Sequence, residues 1–257
     1  MLRCATLGLL AIGLISFGAA RINGAETKED AADKQVLDEW QSHHTTVIHC
    51  SFTRWDYDRN LGLKEKDYLV REATGKLEFS DHKHWAYCEY TLKKFDPRAN
   101  AWLDAADERT SWTCDGKTLC ERNYRTKTLH ERTIPQIDEP AGWFAATILF
   151  WTSGEWQQWI TDAKFVREHA EVKIVTPDKA MDEHWLEITP MEPRVKATFE
   201  RLELILDTRD NRRKAVQVYW PGGKSRTVYV FSPLDHLTES GCQFPAIPLE
   251  GWKRIVD

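Results

Sequence analysis

Apolar and polar side chains alternate along most of the chain. The alternation begins at Ile48, Cys50 and Phe52, with polar His49 and Ser51 between them. Because successive side chains of a strand point to opposite faces of a sheet, this period of two predicts a β-strand with one apolar face.

The same alternation returns in many later segments. Gly75 precedes a second strand with Leu77 and Phe79, and a third strand spans about 84–92, with Trp85, Tyr87 and Glu89 on one face. Further strands are predicted up to about Ile134 and at 165–169, 172–176, 185–189, 199–207, 215–220 and 227–231. In the closing strands the apolar positions again share one face, which is typical of an antiparallel sheet with one buried side.

Two alternating runs meet at Asp115-Gly116, a pair that favours the tight turn of a β-hairpin. With these two residues at the centre of the turn, Trp112 faces Leu119 across the hairpin. In that register Cys114 and Cys120 are further apart than the ~7 Å between Cα atoms that a disulfide tolerates, so we expect them not to pair with each other.

Helical spacing interrupts the strands twice. Residues 28–40 carry Ala32, Val36, Leu37 and Trp40 at intervals of three and four, which predicts an amphipathic helix. Residues 142–154 are almost continuously apolar, and 155–160 resume helical spacing, so we expect two short helices there. The tail after residue 232 contains three prolines and is predicted to be a loop. The fold class is therefore mainly β (α+β), a curved antiparallel sheet capped by helices.

The first residues have the plan of a secretory signal peptide. Residues 4–20 carry no charge, and they are followed by the strongly polar run 26–30. The apolar stretch is shorter than the ~20 residues of a spanning helix, and no later stretch reaches ~18. We expect cleavage after Ala20 or Ala25, a single exported, periplasmic domain over 26–257, and no transmembrane span in the mature chain. An uncleaved N-terminal anchor is the alternative.

Charge and aromatic content narrow the range of partners. The net charge is −5, and the Lys and Arg residues are scattered, so we expect no binding to nucleic acid or to an anionic bilayer surface. Twelve Trp and ten Phe either fill a core or line a cavity, and the sequence leaves both open. An oxidising compartment permits up to two disulfides, with open connectivity, among five cysteines: Cys50, Cys88, Cys114, Cys120 and Cys242.

Motifs for catalysis and metal binding are absent from the sequence. It contains no G-x-S-x-G elbow, Gly-rich phosphate loop or H-E-x-x-H helix, so we expect no enzymatic role and no cofactor. His82 and His84 share a strand face, yet no third ligand has matching spacing, so no metal site is expected. Asp56, Asp58 and Glu89 are interpreted as carboxylates on exposed strand faces and turns.

The order of these segments resembles the LolA family of periplasmic lipoprotein carriers, with its LppX- and RseB-type relatives. Cys50–Arg54 resembles the family's SFTQ strand, Gly75–Leu77 its G-x-L strand, and Cys114–Leu119 its SDGKTLW hairpin. The apolar residues 141–151 fall where the family has a lid helix. The resemblance extends over nearly all of the mature chain.

This resemblance implies an incomplete antiparallel barrel, an N-terminal helix, a central helical lid, and a cavity that holds the acyl chains of a lipoprotein. One departure stands out. The family has an Arg-Pro pair just after the G-x-L strand, whose arginine latches the lid, whereas this chain has Ser80-Asp81. The latch, and the handover of lipoproteins between membranes that depends on it, therefore do not transfer to this chain.

We expect the protein to be an exported carrier that holds an acyl-chain ligand or a lipoprotein between sheet and lid. The alternative is an envelope sensor or protein-interaction domain of the same fold, with an envelope protein as partner and no transport role. An unusual hydrolase is a third, weaker interpretation. The expected ligand-lining residues are Phe52, Leu77, Phe79, Trp112, Leu119, Trp143, Phe144, Ile148, Trp151, Leu186, Ile188, Leu202, Leu204 and Val218.

Overall fold

A computed structural model describes residues 34–40, 48–60, 68–81, 84–133, 159, 162–233 and 250–256. Most of these residues lie in strands. In chain order the strands are β1 (Ile48–Asp58), β2 (Tyr68–Asp81), β3 (His84–Asp96), β4 (Ala101–Asp104), β5 (Thr110–Asp115), β6 (Thr118–Asn123), β7 (Thr128–Thr133), β8 (Ala170–Ile174), β9 (Glu183–Pro190), β10 (Arg201–Asp207), β11 (Arg213–Tyr219), β12 (Ser225–Pro233) and β13 (Lys253–Val256).

The described strands form one sheet in the order β13-β7-β6-β5-β3-β2-β1-β12-β11-β10-β9-β8, with β4 paired to β3. Neighbours are antiparallel except β13 and β7, which run parallel. Within the described residues β13 and β8 do not pair with each other, so the sheet is curved and unclosed. The predicted fold class, a curved antiparallel sheet forming an incomplete barrel, is confirmed.

The described residues include the short α-helices α1 (34–40), α2 (Ala163–His169) and α3 (Pro193–Lys196), and a 3-10 turn at Ala106–Glu108. Helix α1 is the described part of the predicted helix 28–40. The strand predicted at 165–169 is wrong, because these residues belong to α2. The Asp162 carboxylate accepts a hydrogen bond from the Phe165 backbone N–H at 2.9 Å and caps the helix. Ala163 and Val166 then turn together into the core at helical spacing.

The face that α1 and α2 cover is called the inner face here. Among the residues that the structure describes, twenty-four buried apolar side chains of the sheet, the helices and their connections form one cluster on it. In β1 the members are Cys50 and Phe52, as the alternation predicted. None of the helices in the described part of the chain is long and apolar enough to cross a membrane.

The β5–β6 hairpin turns one residue later than predicted. Trp112 pairs with Glu121, and Leu119 pairs with Cys114, so the predicted pairing of Trp112 with Leu119 is wrong. Cys114 and Leu119 both point to the inner face, and Cys120 points to the opposite one. Cys114 and Cys120 therefore lie on opposite faces of the sheet.

Hydrogen bonds in the turn explain the shift. The Asp115 carboxylate accepts hydrogen bonds from the backbone N–H groups of Lys117 at 2.9 Å and Thr118 at 2.7 Å. This bonding makes Asp115 the first residue of the turn. Gly116 follows with a φ of 84°, a conformation that a glycine adopts without steric cost.

A bulge changes the faces of β3. Thr74 pairs with Thr91 and Gly75 pairs with Glu89, so Tyr90 is an extra residue and is exposed. Beyond the bulge, Leu92 pairs with Ala73 of β2 and is buried. The simple alternation predicted from 84 to 92 therefore holds only as far as Glu89.

The tail was predicted to be loop-like with little regular structure, and its last residues contain one short strand that was not predicted. Residues 253–256 form β13 and lengthen the sheet beside β7. Just before this strand, Trp252 packs edge-on against Tyr124 with ring centroids 5.5 Å apart. A single apolar anchor and a four-residue strand leave no periodic signal in the sequence.

Candidate functional site

The inner face collects most of the residues that the sequence predicted to line a cavity. Phe79 occupies β2 opposite Trp85. Trp143, Phe144, Ile148 and Trp151 lie outside the described residues. The other nine belong to the inner-face cluster or pack against it: Phe52, Leu77, Trp112, Leu119, Leu186, Ile188, Leu202, Leu204 and Val218.

Sequence reasoning missed several members of this cluster. Trp85 and Tyr87 in β3, Val216 in β11 and Tyr229 in β12 are all buried on the inner face. Three of them are linked to predicted positions: Trp85 faces Phe79, Tyr87 faces Leu77, and Val216 lies two residues from Val218. Tyr229 has no such link, because its partners across the sheet are Arg54 and Val216. The sequence placed Trp85 and Tyr87 in a strand, but they were not predicted to line the site.

Helices α1 and α2 cover part of the inner face. Val36, Leu37 and Trp40 of α1 are buried in the same cluster. The two helices are joined by an ion pair between the Asp38 carboxylate and the Arg167 guanidinium at 2.6 Å, and both side chains are partly exposed. Because the ion pair is solvated, most of the attachment comes from apolar contact.

An aromatic stack crosses the centre of the inner face. The rings of Phe52 and Tyr87 stack with centroids 4.9 Å apart, and Phe52 meets the edge of Tyr229 at 5.8 Å. Gly75 lies beneath Phe52, and a Cβ at that position would overlap both the Phe52 ring and the Cys88 carbonyl oxygen. The glycine therefore provides the space that the stack occupies.

Next to the stack, the inner face contains a buried polar network. The Arg54 guanidinium pairs with the Glu89 carboxylate and, at 3.2 Å, with that of Asp56. Glu89 also accepts hydrogen bonds from the Tyr87 hydroxyl at 2.8 Å and the Thr110 backbone N–H at 2.9 Å. Glu89 is 1% exposed, so its interpretation as a carboxylate on an exposed strand face is wrong.

Asp56 is only partly exposed and belongs to the same network. It accepts a hydrogen bond from the Thr227 hydroxyl at 2.9 Å, and Thr227 accepts one from the Trp220 indole N–H at 3.0 Å. The network thus connects β1, β3, β5 and β12. Within the described residues its charged groups are one cation, Arg54, and two carboxylates, Asp56 and Glu89.

The network keeps its donors protonated. Burial lowers the pKa of Arg54, but the neighbouring Tyr87, Tyr229 and carboxylates raise it by more, so the guanidinium stays charged. Burial, and then the negative neighbours, raise the pKa of the Tyr87 hydroxyl well above its usual value. Tyr87 therefore retains its proton and donates a hydrogen bond to Glu89 across the working range of pH.

A second polar pair interrupts the apolar surface. Burial raises the pKa of the Cys50 thiol to about 12, although the nearby Arg213 guanidinium lowers it slightly. Burial also lowers the pKa of Arg213 to about 10. A thiol with a raised pKa is mostly protonated near neutral pH and is therefore a weak nucleophile.

Trp85 differs from the other polar groups of the inner face. Its side chain is 1% exposed, and its indole Nε1 is buried without a hydrogen-bond acceptor among the described residues. The described part of the chain contains no group of three or more His, Cys, Asp or Glu side chains that could hold a metal ion. Cys50, Cys88 and Cys120 carry free thiols. The site is therefore an apolar surface with one polar network and the unpaired indole N–H of Trp85. Arg54 Nε also lacks a partner among the described residues, although the two other nitrogens of that guanidinium are paired.

No protein-family model matches the chain, and no curated protein matches its sequence. Similar solved structures include an uncharacterized conserved protein from Thermus thermophilus, with a TM-score of 0.40 at 11% identity, covering 88% of this chain and 99% of that one. A LolA superfamily protein from Nitrosomonas europaea has a TM-score of 0.30 at 10% identity, covering 80% and 95%.

A putative outer membrane lipoprotein-sorting protein domain from Vibrio parahaemolyticus is also similar, with a TM-score of 0.33 at 12% identity, covering 82% of this chain and 94% of that one. The LolA superfamily that the sequence motifs indicated is thus among the structural matches. At these TM-scores the likeness carries no argument about function, which rests on the residues of this chain.

Proposed function

We propose that this chain is an exported binding protein that holds the acyl chain of a lipid or lipoprotein between the inner face of its sheet and the covering helices. The observation that carries the proposal is the extent of the apolar inner face. Every strand in the sheet order from β6 to β9 contributes at least one buried apolar side chain to this face, from Leu119 in β6 across to Leu186 in β9.

The chemistry of this face suits an acyl chain. Burying a methylene contributes about 0.8 kcal/mol, so the ~14 methylenes of a C16 chain supply roughly 11 kcal/mol before the costs of ordering. Such a ligand needs no cation for affinity. The covering helices α1 and α2 rest on apolar contacts and a solvated ion pair, so they can move apart without breaking a covalent bond.

A predicted export signal in the sequence also supports the proposal. An apolar run followed by a polar segment precedes the domain and is typical of a secretory signal. A binding protein for acyl chains has its natural place in the aqueous space of a cell envelope, where free acyl chains are insoluble. The proposed location is therefore the periplasm or another exported compartment.

Titration of the purified mature chain with a C16 lysophospholipid, followed by calorimetry, tests the proposal. Val216 in β11 is 1% exposed on the inner face, and Val230 in β12 lies on the outer face. We expect saturable binding of one lipid per chain, about tenfold weaker in Val216→Phe, where the larger ring occupies the ligand's space. Val230→Phe adds the same bulk on the other side of the sheet and should bind like the parent.

Thermal unfolding of the same variants completes the test. If ligand space exists, Val216→Phe loses lipid affinity and keeps most of its stability. If the inner face is packed solid, Val216→Phe is overpacked and destabilised by about 1–3 kcal/mol, and the parent binds no lipid. That second outcome, together with capture of one specific envelope protein, would replace the carrier with the sensor.

A further inference from the structure

Trp85 carries a hydrogen-bond donor that is buried within the apolar cluster of the inner face. It pairs with Phe79 in β2 and Cys114 in β5, and it belongs to the same cluster as Leu77 and Leu119. An indole N–H can only donate, and buried donors in proteins are nearly always paired. Among the described residues nothing accepts a hydrogen bond from Trp85 Nε1.

The polar network nearby does not supply the missing acceptor. One oxygen of Glu89 accepts from Arg54 and from the Tyr87 hydroxyl, and the other accepts from the Thr110 backbone N–H. The Glu89 carboxylate is thus bonded to other donors, and Trp85 Nε1 is not among them. An indole elsewhere in the protein shows the ordinary arrangement, since Trp185 Nε1 on the outer face donates to Glu183 at 2.8 Å.

We infer that Trp85 Nε1 donates a hydrogen bond to the acyl carbonyl oxygen of the bound ligand. This inference rests on the proposed function and adds a ligand class to it, namely acyl esters. An ester carbonyl is a neutral acceptor that is attached directly to an apolar chain, so both parts suit the surroundings of Trp85. A carboxylate would need a charge partner in the same apolar place, because a buried unpaired charge is far more costly than a neutral group.

A pair of lipids that differ only in this carbonyl tests the inference. The probes are 1-palmitoyl and 1-O-hexadecyl lysophosphatidylcholine, an ester and its ether analogue with the same headgroup. Calorimetric titration should show that the parent binds the ester about 5- to 10-fold more tightly, the value of one hydrogen bond to a neutral donor. In Trp85→Phe, which removes the donor, the two lipids should bind equally.

Trp185→Phe is the matched control. It makes the same chemical change on the outer face, so its ester-to-ether ratio should equal that of the parent. A spectroscopic measurement on the parent avoids dependence on any variant: the Trp85 indole N–H resonance should move downfield with the ester and not with the ether, and Trp85→Phe serves only to assign the resonance.

The possible outcomes separate the inference from the proposed function. If the parent binds both lipids with equal affinity and the indole resonance does not distinguish them, the inference is overturned while the acyl-chain proposal stands. A water molecule that satisfies Trp85 in all states would produce that result. If neither lipid binds, the proposed function fails and the inference fails with it.

Discussion

Removing the Arg54 guanidinium should destabilise the protein through the carboxylate that it leaves behind. In Arg54→Met the Glu89 carboxylate, 1% exposed, keeps only the Tyr87 hydroxyl and the Thr110 N–H as donors. Breaking a buried ion pair by removing one partner costs ~3–5 kcal/mol. Since two donors remain, we expect a loss of about 3 kcal/mol, at the lower end of that range.

A second substitution separates the missing cation from the stranded charge. Glu89→Gln in the Arg54→Met background removes the buried charge and keeps an oxygen for the Thr110 N–H. We expect it to recover about 2 of the 3 kcal/mol lost, because a neutral amide is far less costly to bury than a carboxylate. Asp56→Asn is the control, and it should cost less than about 1 kcal/mol because water reaches this carboxylate.

Urea unfolding measures all four proteins, with stability compared at an unchanged dependence on denaturant. The reasoning is refuted if Arg54→Met loses less than about 1 kcal/mol, or if the double variant is no more stable than the single one. Either result would mean that water reaches Glu89 and this end of the inner face in solution.

Three further predictions concern other parts of the fold. Gly75→Ala should lower the free energy of unfolding by at least ~2 kcal/mol, since its Cβ overlaps the Cys88 carbonyl oxygen; an unchanged urea midpoint would contradict this. At pH 8 iodoacetamide should modify Cys120 well before Cys50, because a pKa of about 12 leaves only ~1 part in 10⁴ of Cys50 as thiolate. Peptide mapping measures the order of modification, and the reverse order would mean that Cys50 is exposed. Asp38→Lys breaks the ion pair between α1 and α2 and should change the free energy of unfolding by less than ~1 kcal/mol. The same variant should release lipid severalfold faster in stopped-flow exchange, and Asp38→Asn should have an intermediate release rate.

The parts of the fold that depend on alternation could be predicted from the sequence. Phe52, Leu77 and Leu204 were placed on one apolar face, and the structure brings them into one cluster. Glu89 was misplaced because a charge on a strand is usually exposed, although the alternation put it on the inner face with Tyr87. Its cation, Arg54, lies 35 residues away in the sequence, so nothing local indicated that the charge was compensated.

Other features were missed where a local signal was weak or ambiguous. Residues 163–169 contain too few apolar positions to separate a strand from one short helix, and only the cap at Asp162 favours the helix. The hairpin register depends on the Asp115 side chain, whose hydrogen bonds move the turn by one residue. Whether the Trp85 N–H finds an acceptor depends on the residues packed around it, and no sequence pattern predicts this.

Mass spectrometry under non-denaturing conditions, on protein purified from its native envelope, tests the central claim most directly. The account predicts a mass that exceeds that of the mature chain by one acyl lipid, and predicts that Val216→Phe emerges without it. Parent protein that emerges at its bare mass, and stays at that mass after incubation with a C16 lysophospholipid, would contradict the account.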